Sequence, residues 1–91
     1  MSGFALQTGG YKNTNTSENI STYPCKLLGV FVAESSSGTI QLFDTSASAF
    51  TKPITGVIQA TAGTWYNIPV STSEGLYLGV SGTIDATVVF A

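Results

Sequence analysis

The 91-residue chain contains no histidine, no arginine and only one cysteine, and its ionic side chains amount to three lysines and five carboxylates. Each shortage removes a class of function. Without histidine or arginine there is no Ser-His or Cys-His nucleophile pair and no arginine clamp for an anionic transition state. Zinc sites built from cysteine and histidine are excluded for the same reason, and the acid spacing of a helix-loop-helix calcium site is missing. Cys25 has no partner for an internal disulfide. Its neighbour Lys26 points to the opposite face of a strand, so the thiol lacks a basic activator and reads as a small hydrophobe at a strand start. Charged residues are 9% of the chain, against about 25% in an average soluble domain. The net charge is −2 and the pI about 4.5, so no basic stripe exists to neutralise phosphates and a nucleic-acid partner is not expected.

Long apolar runs are absent too. The longest, "LLGVFVA" from Leu27, is far below the roughly 18 to 20 residues of a spanning helix, so no membrane partner is expected. The opening "MSGFALQTGG" lacks a basic start and a continuous apolar stretch, so it does not read as a secretory signal. The acceptor patterns at Asn15 and Asn19 then mark only a polar segment.

What fills the chain is serine, threonine, glycine and asparagine around a 43% hydrophobic content, with a mean hydropathy of +0.28. So many apolar groups among so few charges imply that part of the apolar surface is covered by another molecule. The length allows one small domain and one core. Residues 1–22 are polar and aperiodic and read as an extended N-terminal arm, in which Phe4, Leu6, Tyr11 and Ile20 are spaced as anchors for a groove on a neighbour.

From residue 23 to 91 the pattern is all-β: short runs of Val, Ile, Leu, Phe and Tyr, punctuated by Ser, Gly, Thr and Pro. Strands are expected over 24–33, 38–43, 54–60, 64–70, 75–80 and 83–90. No window carries helical periodicity, although 45–52 suits a single turn. Ser-Gly-Thr-Ile occurs twice, at Ser37 and at Ser81, each time between apolar runs, and both copies read as hairpin turns that use the glycine's positive φ. A third reversal is expected near Gly63. Alternation places Ile84, Ala86, Val88 and Phe90 in the core, with Tyr66, Ile68 and Val70, and turns Trp65 and Asn67 outward. The strand from Cys25 is apolar on both faces, Leu28, Val30 and Val32 alternating with Leu27 and Phe31, so one face is covered by further strands or by a partner. The fold class is a small antiparallel β-sandwich or jelly-roll-like barrel of about six strands behind the arm.

Among chemical groups, Glu34, Asp44, Glu74 and Asp85 are the acids a glycosidase pair would draw on, but three sit beside loop residues where solvated carboxylates are ordinary. Lys52, before Pro53 in a loop, reads as a solubilising charge. No catalytic residue, cofactor or metal ligand is assigned. The aromatics carry more: Trp65 beside Asn67, and Tyr77 outward between Leu76 and Leu78, suit either sugar stacking or, with more weight in so neutral a chain, a protein interface.

The stretches "LLGVFVAESSSGTIQLFD" and "AGTWYNIPVSTSEGLYLGVSGTIDATVVF" resemble small all-β capsid decoration, or cement, proteins of tailed bacteriophages, over residues 25–91. The resemblance implies a non-enzymatic virion structural protein, made in the host cytoplasm and seated on the outer capsid surface. Its partners would be the major capsid protein and further copies of itself, a trimer being favoured. Low charge suits that role, because neutral contacts lose little to salt. The alternative is a glycan- or receptor-binding β module of a phage tail fibre. Phe4, Leu6, Tyr11, Trp65 and Tyr77 are the candidate contact residues.

Overall fold

The structure, a computed structural model, describes residues 10–91, so Phe4 and Leu6 lie outside the described residues. Six strands follow in order: β1 (Gly10–Thr14), β2 (Glu18–Ser21), β3 (Lys26–Phe43), β4 (Ile58–Gln59), β5 (Thr64–Ser71) and β6 (Leu76–Phe90). All pairings are antiparallel and all six strands belong to one sheet, with no helix among the described residues. The all-β expectation holds, with one sheet supplying every strand.

The segment read as an extended arm for a neighbour is, from Gly10 on, hydrogen-bonded to its own chain. β1 runs along the end of β6, from Gly10↔Phe90 to Thr14↔Ala86, and β2 continues along the start of β6, from Glu18↔Leu78 to Ser21↔Leu76. β4 and β5 follow β3 in the same broken fashion, from Ile40↔Ile58 through Val32↔Thr64 to Lys26↔Ser71. Only two residues of the expected 54–60 strand are β4; Pro53 and Ile54 approach β3 through a Phe43↔Pro53 bridge and an Ile54 N–H to Leu42 carbonyl bond of 2.7 Å. The 45–52 stretch forms bends and no helical turn.

The repeated tetrapeptide is not a pair of hairpin turns. The strands expected over 24–33 and 38–43 merge into the single strand β3, which begins at Lys26, and those over 75–80 and 83–90 merge into β6, which begins at Leu76. The two copies lie opposite each other where these long strands pair, with Ser36↔Thr83 on one side of the irregularity and Thr39↔Ser81 on the other. Ser37 and Gly82 both have positive φ there, 54° and 83°. The result is a two-against-one bulge that bends both strands. Fully extended, an 18-residue strand spans ~60 Å, whereas the longest dimension of the molecule is 44 Å.

Bending preserves the alternation on each side. Leu27, Val30, Val32, Ile40 and Leu42 of β3 and Leu76, Leu78, Ile84, Ala86 and Val88 of β6 form one buried cluster, flanked by Ile20, Tyr66, Ile68, Val70 and Phe90. A single sheet without helices buries these side chains only by curling over its own inner face. Leu27 joins Val30 and Val32, rather than opposing them, because the pairing slips by one residue between Leu27 and Gly29. That slip explains why this strand reads as apolar on both sides.

Every strand pairing joins the first half of the chain to the second: β1 and β2 to β6, and β3 to β4, β5 and β6. The halves also echo each other. Ile20-Ser21-Thr22 and Leu28-Gly29-Val30 recur as Val70-Ser71-Thr72 and Leu78-Gly79-Val80, and Ser21↔Leu76 mirrors Ser71↔Lys26. The molecule is therefore two similar three-strand halves, neither paired within itself and each completed by the other.

Candidate binding face

The outer side of the sheet carries the exposed aromatics. Direct cross-strand partners share a face, so Phe31↔Trp65, Phe31↔Thr87 and Asn13↔Thr87 form one row, and Tyr11↔Val89, Gly29↔Val89 and Gly29↔Asn67 the next. Trp65 is 44% exposed, Phe31 40% and Tyr11 75%. The indole leans across from its own row onto Gly29, where any side chain would strike it: a Cβ there would sit 2.5 Å from Trp65 Cζ2 and 2.4 Å from the Tyr66 carbonyl oxygen. Gly29 is thus the seat of the tryptophan. No charged residue stands in either row, and the Asn67 amide is exposed.

Tyr77 departs from expectation. It does lie outside the core, opposite Phe43, but it is only 6% exposed. Phe50, from the 44–57 loop, closes over it: the Phe43, Phe50 and Tyr77 rings form a mutually tilted triplet with centroids 5.4 to 6.1 Å apart. Tyr77 therefore anchors that loop and presents no contact surface, while Phe50 and Val57 remain 68% and 63% exposed beside it. Phe50 was not singled out from the sequence because its neighbours are Ser, Ala and Thr and carry no strand pattern.

The acids fall into two pairs. Glu34 and Asp85 are cross-strand partners at the kink, and Asp85 accepts a 2.8 Å bond from the Asn13 amide. They line, with Lys12, Asn13, Glu18 and Thr83, a polar cleft of about 620 Å³ beside the 15–17 connection, between the part of β6 paired with β1 and the part paired with β2. Within it Glu18 sits below the ordinary carboxylate range, because the Thr14 hydroxyl donates to it and Lys12 lies 3.3 Å away, against a smaller opposing effect of burial. In the second pair Asp44 is taken up by the 72–75 turn: it accepts the backbone N–H groups of Ser73, Glu74 and Gly75 at 2.9 to 3.3 Å and the Ser73 hydroxyl at 3.0 Å. Desolvation raises its pKa, but these donors, with Lys52 nearby, outweigh it and the net shift is downward. A carboxyl held in that direction keeps no proton to donate at neutral pH. Glu74 pairs with Lys52. Among the described residues no three His, Cys, Asp or Glu side chains converge on a common point.

Cys25 is half-buried at the edge, its backbone bonded to Thr72 in both directions and its Sγ 3.6 Å from the Thr72 hydroxyl. Of the expected contact residues, the structure brings Tyr11 and Trp65 to one face and adds Phe31 and Val89 to them. Scans against protein-family models, curated proteins and solved structures find no match for this chain.

Proposed function

We propose that this chain is a non-enzymatic structural protein that binds other proteins through the neutral outer face around Trp65, and that its setting is the outer surface of a phage capsid, which it decorates as a homo-oligomer. The observation that carries the reading is the uncharged group of Tyr11, Phe31, Trp65 and Val89, exposed or half-exposed on one face of the sheet. Burying such a face releases ordered water without stripping charges of their hydration, so the contact holds at high salt. Aromatic side chains ordered on strands lose little conformational entropy on binding. The capsid setting rests on the likeness of residues 25–91 to cement proteins.

Purified particles containing this protein test it. Quantitative mass spectrometry is expected to find copies in number comparable to the capsid subunits, released as one species and rebinding to stripped particles at 1 M salt. Trp65→Ala is expected to weaken rebinding at least tenfold with the fold intact. A handful of copies per particle, or rebinding indifferent to Trp65, refutes it. The Asn67 amide beside Trp65 favours one second reading, a saccharide-stacking face on a tail fibre; quenching of Trp65 fluorescence by host polysaccharide, together with low copy number, would support that instead.

A further inference from the structure

Three features of the chain converge on the 44–57 connection. First, the halves 10–43 and 58–91 make no strand pairs within themselves, so all of the sheet is built between them. Second, that connection is their sole covalent link, and it doubles back on itself: the Asp44 N–H donates to the Lys52 carbonyl at 2.9 Å, and the Gln41 amide to the Thr55 carbonyl at 3.0 Å. Third, the reversal is strained. Lys52 has φ of 55°, a left-handed conformation unfavourable for any residue with a side chain, and it immediately precedes Pro53, whose ring disfavours all but extended backbone at that position.

We propose that two copies of this chain exchange halves, residues 10–43 of each pairing with 58–91 of the other while 44–57 opens into an extended hinge. An exchanged pair regains every pairing among β1 to β6, so the two forms differ only in the hinge, including its Phe50 packing on Phe43 and Tyr77 and its Pro53 and Ile54 contacts with β3, and in the cost of association. Opening releases the Lys52 strain twice, once per hinge. The surface that recognises the second copy is thus the whole inter-half interface, already complementary because the two halves are its two sides. The proposal is independent of what the outer face binds.

The full-length chain decides it. In a Cys25→Ser background, Ser36→Cys and Thr83→Cys are made in separate chains, since Ser36 and Thr83 are cross-strand partners and both exposed. A closed single chain has one thiol and forms no 36–83 bond. The two variants, mixed, unfolded in denaturant and refolded together at high concentration, are expected to give a covalent heterodimer of twice the chain mass, whereas Ser36→Cys alone gives none. Lys52→Gly removes the strain and is expected to lower the dimer yield about fivefold or more per hinge. A refolded mixture that stays monomeric, or a dimer in which the 36–83 disulfide does not form, overturns the proposal. So does a dimer yield unchanged by Lys52→Gly.

Discussion

Gly82 faces Ser37 across the kink so closely that a Cβ on the glycine would lie 2.7 Å from the Ser37 carbonyl oxygen. The contact is backbone on backbone, so no side-chain motion relieves it, and the Gly82 φ of 83° adds its own cost for any other residue. Gly82→Ala is accordingly expected to destabilise the fold by at least about 2 kcal/mol, measured by urea unfolding. Ser37→Gly is the control. Relief of its positive φ and the added entropy of the unfolded chain nearly cancel, and its effect should stay within about 0.5 kcal/mol.

The core tolerates little. Leu78 is fully buried between β2 and β3, so Leu78→Ala removes apolar contact and leaves a cavity. A loss of about 2 to 5 kcal/mol is expected, a large part of the stability of a domain this size, visible as a drop of the urea midpoint without a change in slope.

Asp44 makes stability depend on pH in a defined direction. Its pKa, like that of Glu18, is lower folded than unfolded, so both contribute stability that is fully present above the unfolded value and is lost as pH falls through the folded one. Urea midpoints are expected to be flat from pH 7 down to about 5 and to fall below about pH 4. Asp44→Ala should cost about 1 to 2 kcal/mol at pH 7, by uncapping the 72–75 turn, and flatten the acid limb; the site is largely solvated, which keeps the effect modest.

Trp65 is the single tryptophan, so its environment can be read directly. Gly29→Ala drives its methyl into both the indole and the Tyr66 carbonyl oxygen, so it is expected to loosen β3 from β5 and to shift Trp65 emission to longer wavelength, because the ring moves into water. An unchanged spectrum would mean that the ring does not rest on Gly29.

Much of this was legible beforehand, and the failures have physical causes. The alternation of Ile84, Ala86 and Val88 against Thr83, Asp85 and Thr87 gave the inward face of β6 correctly, as did Tyr66, Ile68 and Val70 for β5, because a half-buried strand writes its faces with period two. The two Ser-Gly pairs misled because a positive-φ glycine serves a hairpin and a bulge equally well. Only the knowledge that each copy pairs with the other separates the two, and that is a tertiary fact. β1 and β2 were hidden because they form an outer path in which the buried Thr14 and the half-buried Glu18 are satisfied by bonding to each other rather than by apolar contact. The Trp65 and Tyr11 face was recoverable from exposure reasoning, but Tyr77 was not, since its cover comes from Phe50, 27 positions away in a loop without periodicity.

The pairing of each half only with the other has a consequence during synthesis. β6 bonds to β1, β2 and β3, yet follows all of them along the chain, so those strands leave the ribosome with their principal partner still untranslated. The pairings of β3 with β4 and β5 are the ones available in the meantime. A nascent chain must therefore keep its apolar segments from neighbouring polypeptides until the sheet can form at once, and chaperone contact at that stage, together with slow folding, is the expected burden of this topology.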